Sequence, residues 1–326
     1  MTKKKRYSNP YIQEIRRGAK DFLLWITGYY DDILPIAKPP ANFIYPAQEI
    51  DLDPSKPIVT WINHCTFLLQ IEGVSILTDP IWSERCSPIS FVGPKRRHQP
   101  PIAIEELDSV DFVVISHNHY DHLDEKSVRL LHSHFPSIEW VVPKGVKAWF
   151  TRRGITRVSE LDWWESKSYN MPDKKITLRV TGVPAQHHSG RGLFDADTSL
   201  WMGCVLEAIY RNKESKKAYF VGDTAYNEYD FKKIGKAFKG IDLSLCPIGA
   251  YTPSRFMRTV HASPDDAVKI HRDVQAKLSI GMHWKTFCLA DEDIEQPPYD
   301  LYKAMKRHGL CPTTFIPLEP GEKSNW

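Results

Sequence analysis

Between residues 116 and 124 the chain reads SHNHYDHLD, which brings His117, His119, Asp121 and His122 close together in sequence. Neutral imidazole and carboxylate are the donors that zinc and similar divalent ions take. The preceding run VDFVVI is apolar enough for a buried strand over Val110–Ile115, so the cluster lies where a rigid element ends. In a loop leaving a strand, alternate residues can point the same way, and His117 and His119 can then reach one ion together. Asp121 and His122 fall on the following turn and face a second position. Histidine clusters also occur on solvated surfaces. The mixed carboxylate and the apolar run before it count against that reading here.

Further donors stand where other apolar runs end. RVTGVPAQHHSG supplies His187 or His188, AYFVGDT ends in Asp223, and LSIGMHW carries His283. A lone histidine at a strand end is more often structural than a ligand. Several polar strand ends in a chain that already holds HxHxDH point instead to a site for two ions. Asp79, in TDP, also ends an apolar run; it is read as holding the far nitrogen of a ligand histidine, with a plain turn aspartate as the alternative. His64, in WINHC, is read as structural. His261 precedes SPDD, where Ser263 is expected to cap a helix with Pro264 in its first turn.

These residues need a frame. PIVTWINHCTFLLQIEGVSILTDP reads as three strands, with Glu72–Gly73 as a hairpin turn. A helical piece over Ile104–Leu107 leads into the VDFVVI strand, and DEKSVRLLHSHF is an amphipathic helix. IEWVVPKG, KITLRVTGV, SLWMGCVLEAIY, KAYFVGD, IDLSLCPIGA and KLSIGMHW read as strands, and GVKAWFTRRG and SPDDAVKIHRDVQ as helices. Strand-rich blocks with attached helices on either side of the middle predict an α/β fold of four layers, an αββα sandwich. The expected organisation is one domain over 51–326, preceded by an extension over 1–50. Within it, DFLLWITGYYDDILP carries Phe22, Leu23, Trp25, Ile26, Tyr29, Tyr30 and Ile33 near helical spacing behind the basic start MTKKKR. A helix lying on a membrane has this pattern, and so has a helix packed on its own domain.

The 326 residues are 42% hydrophobic and 25% charged, as in an ordinary globular protein, and a net charge of +3 gives no reason to expect nucleic acid. Six cysteines lie far apart with no CxxC pair, which favours reduced core thiols over disulfides. No apolar run approaches the roughly 18 residues of a membrane span. A cytoplasmic protein is expected, or one that touches a membrane from that side. The run GPKRRH over 93–98 could meet phosphate headgroups.

The motifs SHNHYDHLD, VPAQHHSGR, GDTAY, HASPDDAV and MHWKTF, with NPY, WINHCTFLLQ, TDPIWSERCSP and GPKR ahead of or between them, carry a resemblance. Together they resemble the metallo-β-lactamase superfamily and, within it, the zinc phospholipases of type D that hydrolyse N-acylphosphatidylethanolamine. HxHxDH alone fixes only the superfamily. The resemblance implies two zinc ions per chain, one on His117, His119 and His187, the other on Asp121, His122 and His283, with Asp223 between them. It implies that a shared water of lowered pKa attacks phosphorus, leaving phosphatidic acid and N-acylethanolamine. Tyr120 and His261 stand where the family contacts substrate, and His261 could assist the leaving group. His188 stands where tryptophan is usual, so the pocket lining departs there. A membrane phospholipid substrate and peripheral membrane association are implied, and a homodimer is compatible. Deleting residues 1–35, or changing Leu23 and Trp25 to Asp, is expected to lower activity on vesicles much more than on a short-chain soluble phosphodiester, and equal loss on both would mark the segment as a structural part of the fold. Two other readings compete: a hydrolase of the same fold acting on a lactone, amide or phosphorylated sugar, and a non-catalytic lipid-binding or scaffold protein.

Overall fold

A computed structural model of the chain describes residues 6–12, 19–30, 38–46, 52–192, 194–211 and 214–326. The first sheet is formed by β1 (Ile58–Asn63), β2 (Thr66–Ile71), β3 (Val74–Thr78), β4 (Phe112–Val114), β5 (Glu139–Pro143) and β6 (Val158–Leu161), with a strand from the C-terminal end closing its far edge. The second sheet holds β7 (Ser166–Met171), β8 (Ile176–Val183), β9 (Gly203–Tyr210), β10 (Lys216–Phe220), β11 (Leu243–Pro247), β12 (Leu278–Met282) and β13 (Phe315–Pro317). The closing strand of the first sheet is β14 (Lys323–Asn325), antiparallel to β1. The helices are α1 (Ala19–Ile26), α2 (Glu125–His134), α3 (Lys147–Thr151), α4 (Asp230–Ala237), α5 (Ser254–Met257), α6 (Pro264–Asp273) and α7 (Gln296–Arg307).

Burial explains the layers. Phe112 and Val114 of β4 join one apolar cluster with Leu178, Val180, Leu206 and Phe220 of the second sheet, so this cluster is the filling between sheets. Val113 and Ile115 alternate into a second cluster with Val128 and Leu131 of α2 and Phe150 of α3. A strand covered on both faces has no polar face to show, which is why FVVI, residues 112–115, is apolar throughout. On the outer side of the second sheet Phe231, Ile234, Val268, Ile270, Leu301 and Met305 bring α4, α6 and α7 onto the core. The expected αββα order is found.

Strand direction then decides where the polar ends meet. β1 is antiparallel to β2 and β2 to β3, while β4 runs parallel to β3. The ends of β1, β3 and β4 therefore lie at one edge. In the second sheet β8 is antiparallel to β9 and β9 to β10, and β10, β11 and β12 are parallel. The ends of β8, β10 and β12 therefore share an edge as well.

The elements differ from expectation at several points. The strand expected over Val110–Ile115 is reduced to Phe112–Val114, and the piece at Ile104 is one 3-10 turn, Ile104–Glu106. Edge strand β7 is mostly exposed and has no apolar alternation to reveal it; its pairing with β8, from Ser166↔Thr181 to Met171↔Ile176, creates it. In the extension, the helix stops at Ile26. Residues 1–5 and 31–35, including Ile33, lie outside the described residues. Trp25 packs on Phe256 at 4.9 Å and its Nε1 donates to Asp291 at 2.7 Å, whereas Leu23 and Tyr29 face solvent. No helix among the described residues is long and apolar enough to cross a membrane.

Candidate metal centre

The loop after β4 delivers His117, His119, Asp121 and His122 to the shared edge; His187 follows β8, Asp223 follows β10 and His283 follows β12. Two groups of donor atoms form. His117 Nε2 lies 2.8 Å and His187 Nε2 3.3 Å from His119 Nδ1. In the other group, His122 Nε2 is 3.1 Å from Asp121 Oδ2, and Asp223 Oδ2 is 3.3 Å from His122 Nε2 and 3.1 Å from His283 Nε2. Bonds of about 2.0–2.1 Å in a tetrahedral site put ligand atoms roughly 3.3 Å apart, so these separations suit a zinc-sized ion. Asp223 Oδ2 is also 3.9 Å from His187 Nε2, which puts this carboxylate between the groups.

Three of the candidate imidazoles, His117, His122 and His187, are turned by their other nitrogen. His187 Nδ1 donates to the Val260 carbonyl at 2.8 Å, and His122 Nδ1 to Asp79 Oδ2 at 2.6 Å. Ser116 Oγ gives its proton to Asp79, so it can only accept from His117 Nδ1, 2.9 Å away. In all three rings Nδ1 carries a proton; Nε2 of His117 and His187 faces the cluster with a lone pair, and Nε2 of His122 would do so once a cation replaces its second proton. Asp79 is fully buried and also accepts from the Ser116 N–H at 2.7 Å.

The electrostatics ask for positive charge at the same place. Burial would raise the carboxyls of Asp121 and Asp223, yet His122 beside both, and His283 too, hold them well below the usual range. Burial likewise opposes charge on His122 and His283, but the two carboxylates push the first well up and the second to about 9. Burial lowers His117 and His187 strongly and His119 to about 3, leaving them neutral donors. Among the described residues, His122 Nε2, His283 Nε2 and Asp223 Oδ1 are buried without a hydrogen-bond partner. Buried polar atoms are rarely left so. A divalent cation would satisfy them and supply the charge. The residues present fit one.

The backbone is tight here. Asp79 and His283 have φ of 31° and 64°, a region that disfavours side chains. Gly222, φ 68°, turns the chain into Asp223; a Cβ there would meet Met202 O and Ser116 Cβ at 2.9 Å.

The remaining sequence candidates lie around this centre. His261 Nδ1 is 3.8 Å from Asp223 Oδ2, and burial pushes its imidazole down to about 4. Ser263 and Pro264 cap and open α6 behind it. Tyr120 is half-buried; its hydroxyl donates to Arg191 O at 2.9 Å and its ring lies 3.9 Å under the Arg191 guanidinium. His188 is exposed, stacked on His187 at 4.8 Å. In the run 93–98, Arg96 is buried and donates to Ser83 O and Ile81 O, so this member is structural and does not face a headgroup.

His64 was read as structural, and its contacts tie it to the centre. Its Nε2 is 3.0 Å from Asp121 Oδ2, and its carbonyl accepts from the His283 N–H at 3.1 Å. Asn9 pairs with the His187 backbone, accepting at 3.2 Å and donating at 2.8 Å. Arg191 Nη1 donates to Asn118 O at 2.9 Å and Leu123 O at 2.7 Å, spanning the loop that carries His119, Asp121 and His122. All three stand in motifs that carry the resemblance, NPY, WINHC and HHSGR, but nothing local gives them these roles, since each acts across the fold.

Two facing sheets with a histidine and aspartate cluster on one edge define the metallo-β-lactamase class of fold, and a family model for the β-lactamase superfamily domain matches residues 75–284. A possible metal-dependent hydrolase from Veillonella parvula has the same fold, with a TM-score of 0.61 over 83% of this chain and 100% of that one at 21% identity. The chain is 41% identical, over 81% of its length and 74% of the relative's, to N-acyl-phosphatidylethanolamine-hydrolyzing phospholipase D 1 of Caenorhabditis elegans. It is 35% identical, over 79% of its length and 54% of the relative's, to the mitochondrial phospholipase D of that name in Saccharomyces cerevisiae. Within the β-lactamase superfamily, the chain belongs to the N-acylphosphatidylethanolamine-hydrolysing phospholipase D family.

Proposed function

We propose that this protein is a metal-dependent phosphodiesterase that cleaves N-acylphosphatidylethanolamine to N-acylethanolamine and phosphatidic acid. The observation that carries this is the convergence of seven donor side chains at one edge in a member of that family. His117, His119 and His187 would hold one zinc ion, Asp121, His122 and His283 a second, and Asp223 would serve both. When bound, such a pair lowers the pKa of a water and neutralises charge on phosphoryl oxygens.

The chain's own residues do the rest. Asp79, Ser116 and the Val260 carbonyl fix the imidazole tautomers, and His64 steadies Asp121. Hydrolysis forms a P–O bond from water and breaks the P–O bond to the ethanolamide oxygen, which must take up one proton. His261, neutral and facing Asp223, is the group we assign to meet a phosphoryl oxygen or pass that proton on. Tyr120 and His188 flank the entry. Residues 51–326 act as the hydrolase domain, and the described parts of the 1–50 extension pack on it through Asn9 and Trp25; association with the membrane surface follows from the substrate.

Products from a mixed lipid extract, resolved by mass spectrometry, test the reading. Wild type should release N-acylethanolamine and carry about two zinc ions per chain. Asp223→Asn should lose metal and turnover together. Hydrolysis of lactone or amide bonds with no N-acylethanolamine or phosphatidic acid released, or an inactive Asp223→Asn protein with full metal content, would overturn the assignment.

A further inference from the structure

Residues 88–95, PISFVGPK, are all exposed, and their apolar members stand out: Ile89 is 46%, Phe91 79% and Val92 51% exposed. Single apolar side chains in water are ordinary, but three within one short loop are a patch that needs a reason. The loop is built to hold them there. Arg85 and Lys95 bridge its base, Cys86 N donates to Pro94 O, and Arg96 N donates to Glu84 O at 2.9 Å. The buried Arg96 side chain ties the base to Ser83 O and Ile81 O. Gly93 has φ 98°, and a Cβ there would meet Ser87 at 2.8 Å.

Charge and position name the occupant. Lys95 is paired with Glu84 at 2.7 Å; beyond that pair no acidic residue occurs from 85 to 104, which leaves the exposed Arg97 to carry positive charge beside the tip. The inner side of the loop, through Ser87, Pro88 and Ser90, walls a cavity of about 520 Å³ that Tyr120 and Arg191 also line. Tyr120 sits between His119 and Asp121 in the chain, which ties this wall of the cavity to the loop that carries candidate ligands. A stable protein interface needs roughly 800 Å² from each partner. Three side chains on one loop supply a fraction of that, but enough to enter a lipid interface.

We propose that the 88–95 loop is a lipid-surface finger. Ile89, Phe91 and Val92 enter the interfacial layer of an anionic bilayer, Arg97 meets a headgroup phosphate, and the cavity beside them opens on the headgroup layer. The role of the cavity rests on the phospholipid-hydrolysing reading; the docking itself does not. The test is flotation of the full chain with phosphatidylcholine vesicles, with and without phosphatidylglycerol. Phe91→Ser/Val92→Ser should weaken partitioning about tenfold or more, since roughly two side-chain burials are lost. Turnover of a short-chain soluble phosphodiester should stay unchanged, because neither residue lines the cavity. Phe91→Trp should shift its emission to the blue on adding anionic vesicles. Unchanged partitioning of the double variant would overturn the finger. So would a double variant that changes from dimer to monomer in light scattering while its flotation is intact, which would make the loop an interface between copies. Loss of flotation in the variant, with no phospholipid hydrolysed by wild type, would sink the functional reading and leave the finger standing.

Discussion

An imidazole binds a cation only through a nitrogen that carries no proton, so the partner of its other nitrogen decides what each histidine can do. His187 and His188 are adjacent and chemically the same. His187 gives its Nδ1 proton to a carbonyl and turns Nε2 to the cluster, whereas His188 is exposed. His187→Ala should therefore lose metal and lower kcat by about 100-fold or more, by analogy with lost electrostatic groups in other active sites. His188→Ala should keep its metal and change mainly KM. Elemental analysis beside vesicle kinetics reads both, and the reverse pattern would exchange their roles. The sequence could show the pair but not choose by spacing, because the deciding carbonyl, Val260, is 73 positions away. His64 was underread for the same reason. Its link to Asp121 crosses 57 positions and belongs to the fold.

At the scale of elements, the strands that carry the centre were legible because burial on both faces writes itself as an apolar run ending in a polar residue. The strand β7 and the helix α4, rich in lysine, were not, since neighbours rather than local pattern define them. Loops were least legible, and the loop of 118–123 shows why. Its two ends are held by one nitrogen, Nη1 of Arg191 from another loop, and the guanidinium plane over the Tyr120 ring, which an ammonium cannot reproduce, holds that nitrogen in place. Arg191→Met should weaken zinc binding about 10–100-fold, as loss of an outer partner does, with the far-ultraviolet spectrum unchanged. Arg191→Lys should recover little. Competition titration with a chelator reads this, and wild-type affinity in the methionine variant would remove the staple from the account. The helix α6 offers a separate test through His271, buried against Ser279 Oγ at 2.8 Å and pushed down by that burial to about 4. The unfolded chain takes this proton near pH 6.5 and the folded one only near 4, so the contribution is whole above 6.5 and lost as pH falls between them. At pH 5 the loss amounts to about 2 kcal/mol. His271→Gln should show a smaller drop in Tm than wild type from pH 7 to 5, with both proteins metal-depleted. Parallel curves would mean that the proton is taken up without cost.

For the whole molecule the question is what the N-terminal extension is for. Its apolar spacing allowed a membrane helix or a domain-packed one, and its described parts do reach the core. Tyr7 N donates to Asp197 O, the Tyr11 ring stacks on Tyr229 at 4.6 Å, and Trp25 lies on Phe256, at the head of the loop that leads to His261. Most telling is Asn9, whose amide pairs with both backbone groups of His187. A segment that only tethers the protein to lipid has no use for that pair. The expectation that removing 1–35 would hurt vesicle activity more than soluble activity therefore changes, because the truncation also removes the support of a candidate ligand. Truncation should lower kcat/KM on a short-chain soluble phosphodiester as well as on vesicles, and lower zinc affinity with them. Asn9→Ala should reproduce the part due to His187: two backbone hydrogen bonds lost at about 1 kcal/mol each give roughly tenfold or more in metal affinity. Leu23→Asp, at a site 60% exposed, should spare the soluble substrate and the metal and weaken only vesicle activity, if that face touches lipid at all. Measuring zinc affinity and both activities for all three variants separates the roles. Full zinc affinity and full soluble activity in the truncated chain would make the extension a membrane device alone, with the Asn9 pair idle.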